Sequence, residues 1–293
     1  MSEKNGISLH IGLNKVDQNH YVDEDGKPWD GKLNACESDA EDMRDLASSQ
    51  GFKTNIMMTE QATREAILKM ISDASKVLTD GDFFLVTYSG HGGRIKDYSG
   101  DEDDLRDETW VLYDCELIDD ELGHLWSKFD PGVRILIISD SCHSGSVYKG
   151  LRSDSDILKR KDGIKYRFMP HGVSYHTFKK NRSFYMDVIH SLPKGKPIIK
   201  APLIHISGCQ DDEFSLDGEF NGLFTGHLLR TWDQGNFQGN YIEFHQAVQM
   251  AVSKAASKVL TEPYNKPHKQ TPNFIVDGSI PGAFSNQKPP FRI

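Results

Sequence analysis

The sequence predicts a three-layer α/β/α sandwich around a mostly parallel, six-stranded central sheet. Three observations carry this. Apolar runs of strand length alternate with amphipathic stretches of helix length, in the order expected of successive βαβ units. Several of the runs are almost continuously apolar, as strands covered on both faces must be. Two of them lead directly into residues capable of chemistry, at the carboxyl ends where an open parallel sheet places its ligands.

Each element has its own signal. ISLHIGL (7–13) reads as the first strand, followed by a polar, glycine-containing loop to about Leu33. ESDAEDMRDLASSQ (37–50) reads as a helix, with acidic residues at its positive end and Gly51 as its stop. KTNIMM (53–58) is the second strand. In TREAILKMISDASKVL (63–78), Ile67, Leu68, Ile71 and Val77 or Leu78 recur at helical spacing. DFFLVTYSG (82–90) is the third strand. GGRIKDYSGDEDDLRDE (92–108) reads as a glycine-rich acidic loop, WVLYD (110–114) as a short strand and DDELGHLWSKF (119–129) as a helix. RILIISD (134–140) is the fourth core strand. From Ser146 to about Lys200 the chain turns basic and loses periodicity. Residues 146–200 are therefore expected to form a long basic loop or insert within one domain spanning 1–293. APLIHISG (201–208) is the fifth strand, 221–232 and 241–260 are helices, and PNFIV (272–276) closes the sheet as the sixth strand.

Composition narrows the function classes. A net charge of −9 argues against a general nucleic-acid binder and suits a cationic partner or substrate. No apolar run approaches a membrane-spanning length, and MSEKNGIS lacks the apolar region of a signal peptide. The cysteines Cys36, Cys115, Cys142 and Cys209 are scattered without a CxxC, so neither a disulfide framework nor a zinc ribbon is indicated. A cytoplasmic location, where a reactive thiol stays reduced, is the expectation.

FFLVTYSG (83–90) delivers His91, and RILIIS (134–139) delivers Cys142 through Asp140 and Ser141. Neighbouring strands of this kind would set an imidazole beside a thiol, which is what a cysteine nucleophile needs from its base. The glycines of Ser89-Gly90-His91-Gly92-Gly93 leave backbone N–H groups free to face a reacting oxygen. A satisfied loop histidine and a buried, inert thiol are the plainer alternatives, although the polar residues around Cys142 weigh against the second. His143 is poorly placed as the base, because adjacent side chains diverge.

Five blocks, in order, carry a resemblance: CESDAEDM (36–43), YSGHGG (88–93), GDEDDLRDETWVLYD (100–114), ISDSCHSG (138–145) and ISGCQDDEFS (206–215). The histidine also precedes the cysteine by about fifty residues, as in caspases. The caspase QAC nucleophile signature is absent. In these blocks the chain resembles the metacaspases and their bacterial caspase-like relatives. Arg106 departs from the pattern, standing where an aromatic residue is usual.

The resemblance implies a caspase-like fold and a cysteine endopeptidase cleaving after Arg or Lys through His91 and Cys142. The oxyanion hole would be the N–H groups of Gly92 and Cys142. Asp39 and Asp140 would line the primary specificity (S1) pocket, with Ser89 touching the P1 side chain. Two carboxylates there attract a guanidinium or ammonium. Read without the resemblance, Asp140 is a strand-end cap and Asp39 a solvated first-turn residue. No cofactor is required for the chemistry. Calcium is a possible activator, held by Asp101, Asp103 and Asp104, although the loop lacks EF-hand spacing and a solvated acidic loop is the other reading. Self-cleavage is expected in the basic stretch, after Lys149, Arg152, Lys159, Arg160, Lys161, Lys179, Lys180 or Arg182; the plain alternative is a solvated charged loop. The expected partners are polypeptides with a basic P1 residue, with no nucleic acid, no membrane and a monomeric state. A catalytically silent caspase-fold interaction module, or a related peptidase with another P1 preference, are the competing readings.

Overall fold

The computed structural model describes residues 4–96, 106–142, 165–210, 213–261, 266–278 and 281–293. Its central sheet has six strands: β1 (Gly6–Gly12), β2 (Lys53–Met58), β3 (Phe83–Ser89), β7 (Arg134–Asp140), β8 (Leu203–Ser207) and β11 (Asn273–Asp277). They lie in the order β2-β1-β3-β7-β8-β11, all parallel except the antiparallel edge strand β11. The expected sandwich is therefore present. Two short strands, β9 (Leu260–Thr261) and β10 (Lys266–Pro267), pair outside it.

Period-two alternation along the strands divides the core into two layers. Phe84, Val86, Ile135 and Ile137 face α2 (Arg64–Val77) and α3 (Asp119–Trp126), where Ile67, Ile71, Leu125 and Trp126 complete the packing. Phe83, Leu85, Leu136 and Ile138 face the other way, onto α1 (Cys36–Ser49), α6 (Leu223–Trp232) and α7 (Tyr241–Ala256). With both faces covered, every residue of β3 is buried, which is why its sequence shows no alternation. Gly12 brings the start of α1 against the sheet. A Cβ there would lie 2.3 Å from the Cys36 carbonyl oxygen. This close approach sets Asp39, one turn into α1, beside the end of β3.

Two expectations need correction. The 92–108 segment is not simply a loop. β4 (Gly92–Lys96), β5 (Arg106–Val111) and β6 (Glu116–Ile118) form a separate antiparallel sheet. Its polar, charged sequence hid it, because buried polar residues such as Asp107, Thr109 and Glu116 interrupt the apolar alternation. The 146–200 stretch also contains two helices, α4 (His171–Lys180) and α5 (Arg182–Ser191). Both are short, and α4 is basic. They anchor through few residues, among them Val173, Tyr185 and Ile189, and through Thr177, whose hydroxyl accepts from the Val22 N–H at 3.0 Å.

The C-terminal residues complete the core. After α8 (Pro281–Ser285), Phe291 is fully buried, edge-on to Trp232 and Phe244 at 5.0 and 5.7 Å. Its N–H donates to the Tyr241 hydroxyl at 2.8 Å. Phe291→Ala is expected to cost about 3–5 kcal/mol in denaturant unfolding. A loss under about 1 kcal/mol would show that the tail is not part of the core.

Candidate active site

Register decides what meets at the top of the sheet. Ser89, last residue of β3, pairs with Asp140, last residue of β7. His91 and Cys142 each follow two residues later, so they emerge side by side from adjacent strands. His91 is buried under Trp29, with ring centroids 5.0 Å apart. Its Nε2 lies 2.9 Å from the Gly31 carbonyl oxygen. A carbonyl can only accept, so Nε2 carries the ring proton and Nδ1 keeps its lone pair. Nδ1 is buried and has no hydrogen-bond partner among the described residues. Burial depresses the ring to about 4, partly offset by the bond to Gly31. At neutral pH His91 is thus an uncharged imidazole with Nδ1 ready to accept a proton. Gly31 adopts φ +54° here, and a Cβ on it would sit 3.3 Å from His91 Cδ2. The tight turn and the close approach to the ring both favour glycine.

Cys142 is fully buried. Its Sγ is turned toward the Ser215 backbone N–H, with Cys209 adjacent, rather than toward His91. Among the described residues no hydrogen bond joins the Cys142 thiol to the His91 ring.

The pocket beside them holds a cation supplied by the chain itself. Arg167 is fully buried, and its guanidinium faces three carboxylates. Nη2 lies 2.7 Å from Asp39 Oδ2 and 2.9 Å from Asp217 Oδ1, and Nη1 lies 2.9 Å from Asp140 Oδ2. Nη1 also donates to the Ser89 hydroxyl at 2.7 Å, and that hydroxyl donates to Asp39 at 2.7 Å. Further donors share the excess negative charge. Gly222 N–H reaches Asp39, Thr225 N–H and hydroxyl reach Asp140, and Asn34 N–H reaches Asp217. Burial pushes the Asp39 carboxyl up to about 6; Arg167 pulls against this and Asp140 adds to it. Gly222 forms the pocket wall. A Cβ there would lie 2.4 Å from Asp140 Oδ2 and 2.6 Å from the guanidinium carbon.

The backbone around Arg167 is held as firmly as its side chain. Its carbonyl oxygen accepts from Gly92 N–H at 3.1 Å and from Cys142 N–H at 2.9 Å. Its own N–H donates to Ser215 O at 3.0 Å, and Lys165 O accepts from Asp217 N–H at 2.9 Å. Tyr166 and Leu216 form an antiparallel bridge, and Gly92 and Phe168 a parallel one. Met169 N–H donates to Gly92 O at 2.7 Å. Residues 165–169 therefore lie across the lip of the sheet, bridged on either side of a bend at Arg167. The Arg167–Phe168 peptide bond sits between the two N–H donors, and the Phe168 backbone lies beside the His91 ring.

The structure brings together His91, Cys142, Gly92, Ser89, Asp39 and Asp140, all singled out from sequence. Asp101, Asp103 and Asp104 lie outside the described residues, as do Lys149, Arg152, Lys159, Arg160 and Lys161. No group of three or more His, Cys, Asp or Glu suited to a metal is present among the described residues, and no step below is routed through calcium. Lys179, Lys180 and Arg182 are built into α4 and α5, where a helical backbone cannot lie extended in a cleft. Sequence reasoning missed three residues. Asp217 stands two positions past the last block that carried the resemblance. Gly31 acts through its carbonyl, which any residue has. Arg167 is an isolated basic residue, overlooked beside the denser basic clusters.

Two outcomes follow from this geometry. Gly222→Ala should abolish occupancy of the pocket by any arginine, because the added methyl takes the guanidinium's place. A crystal structure of the variant with Arg167 still seated would contradict this. His91, depressed below its free value of 6.5, should stay neutral as pH falls through 6.5 and protonate only near 4. The unfolded chain takes that proton first, so stability falls between those values and levels off below the lower one. Imidazole NMR of Cys142→Ala reads this directly, and a midpoint near 6.5 would mean an exposed ring.

The chain is similar to known proteins along most of its length. The caspase domain profile matches residues 16–277. Metacaspase-1 of Schizosaccharomyces pombe is 30% identical over 240 residues, covering 71% of this chain and 52% of the relative, so the chain spans about half that protein's length. The crystal structure of protein GSU0716 from Geobacter sulfurreducens is similar over 99% of both chains, at 44% identity and a TM-score of 0.80. Caspase-1 from Spodoptera frugiperda shares the fold at a TM-score of 0.57 and 13% identity, over 93% of this chain and 86% of its own. With a caspase-like sheet and its matched residues running through the whole site, the chain belongs to the caspase-domain family of cysteine peptidases.

Proposed function

We propose that the chain is a cysteine endopeptidase of metacaspase type that cleaves after Arg, and more slowly after Lys, and that it processes itself. One observation carries this reading. A single residue, Arg167, has its side chain in a three-carboxylate pocket while its carbonyl oxygen rests on two N–H groups beside the thiol. That is the placement a substrate's P1 residue needs for acyl transfer.

Cys142 Sγ rotates toward His91 and gives its proton to Nδ1, while Gly31 holds the ring through Nε2. The sulfur forms a bond to the P1 carbonyl carbon, and the carbonyl π electrons move onto the oxygen between Gly92 N–H and Cys142 N–H. The tetrahedral intermediate collapses, the C–N bond breaks, and the leaving amine takes its proton from His91. Water then hydrolyses the thioester. The Arg-over-Lys order follows from the pocket. Asp140 and Ser89 address one guanidinium nitrogen, and Asp39 and Asp217 the other. The point charge of an ammonium cannot meet both sets at once.

In the intact chain the site is filled by 165–169, so cleavage of other peptides follows self-cleavage after Arg167. A silent interaction module is the second reading. It is favoured by one feature, the Cys142 thiol turned away from His91.

Peptide assays decide between these readings. Wild type should cleave Arg substrates, Lys substrates less well and Asp substrates not at all. Cys142→Ala and His91→Ala should be inactive yet folded. Removing one buried charge partner costs about 3–5 kcal/mol, so Asp217→Asn should lower cleavage after Arg by roughly 10²-fold or more. Robust cleavage after Asp would overturn the pocket assignment, and undiminished activity in Cys142→Ala the nucleophile.

A further inference from the structure

We infer that residues 165–168, Lys-Tyr-Arg-Phe, are a template for the substrates this site accepts: basic at P1, aromatic at P2 and large and apolar at P1′. The inference rests on the peptidase reading above and extends it beyond P1. It comes from the side chains flanking Arg167. Tyr166 is 7% exposed although it belongs to a segment crossing the lip of the sheet. Its ring packs on Phe214 at 5.2 Å and on His268 at 5.7 Å. Leu216 and Cys209 complete the same apolar cluster. Phe168 is 4% exposed and packs on the opposite flank of the scissile bond, against the same Phe214 ring at 4.7 Å.

Phe214 therefore serves both positions. Its backbone has partners outside the segment it receives as well as within it. His268 Nε2 lies 2.8 Å from the Phe214 carbonyl oxygen, and neighbouring Ser215 is tied to Asp140 and Gln270 through its hydroxyl. These ties hold the backbone of the wall to the body of the fold, which lowers the cost of ordering it around a substrate ring. Lys165 behaves differently. Its carbonyl is bound by Asp217 N–H, while its ammonium reaches exposed Asn34 at 3.0 Å. The P3 position is thus read through its backbone, and its side chain should matter little. Burying an aromatic ring rather than leaving an empty, dewetted slot corresponds to at least about tenfold in kcat/KM.

The test is a set of quenched fluorescent peptides, Lys-Xaa-Arg-Phe-Met, with Xaa as Tyr, Phe, Leu, Gly or Asp, given to self-processed wild-type protein. Tyr and Phe should exceed Gly and Asp by tenfold or more in kcat/KM. Replacing Phe at P1′ by Asp should cost a similar factor, and replacing Lys at P3 by Ala less than threefold. Phe214→Ala should shrink the Tyr-to-Gly ratio to within about threefold, and Phe214→Leu, which keeps the core apolar, should shrink it part of the way. Equal cleavage of the whole P2 series by wild type would overturn the template and leave the Arg-directed peptidase standing. Failure to cleave any Arg peptide, the Tyr one included, would overturn the peptidase reading on which the template rests.

Discussion

The structure depends most on the ion cluster around Arg167. Three carboxylates, from α1, from the end of β7 and from the loop before α6, are buried within reach of one guanidinium. Isolated, each would carry a desolvation penalty of several kcal/mol. One cation and a shell of backbone N–H and hydroxyl donors make the arrangement tolerable. The cluster joins three parts of the chain at one point. It also leaves the pocket with a standing need. Whenever Arg167 departs, something cationic must replace it, or the carboxylates must take up protons. Asp39, already pushed up to about 6 with Arg167 in place, would be the natural first to do so. Specificity and local stability are then two consequences of one charge balance.

The chemistry is positioned by strand register rather than by loop design. Pairing of Ser89 with Asp140 places His91 beside Cys142, and Gly12 lets α1 come close enough to bring Asp39 to Ser89. The Gly92 N–H extends the same edge to the carbonyl oxygen of Arg167. A slip of one residue between β3 and β7 would turn His91 to the other face and separate every one of these groups.

Much of this was legible in the sequence because strands buried on both faces have unambiguous apolar runs, and because their ends are where polar residues gather. The six sheet strands, and the gathering of His91, Cys142, Gly92, Ser89, Asp39 and Asp140 at their ends, were legible that way or through the family resemblance. What escaped had weaker signals. β4 and β5 bury polar residues such as Asp107 and Thr109, which masked their alternation. α4 and α5 are held by hydroxyls and a few apolar residues. The support of His91 comes from a main-chain carbonyl at Gly31, and Asp217 owes its role to a turn that brings residues 215–217 alongside 165–167. Arg167 was the hardest to see, since only the fold shows that this arginine, among many basic residues nearby, returns to the active site.

The central claim is that the bond after Arg167 is the one this site is built around. Mass analysis of wild type against Cys142→Ala, after purification under conditions in which wild type cleaves Arg peptides, tests it most directly. The account predicts that wild type yields two associated fragments, one ending at Arg167 and the other beginning at Phe168, while Cys142→Ala stays intact. Identical intact masses, or a cut elsewhere with Arg167–Phe168 unbroken, would contradict it.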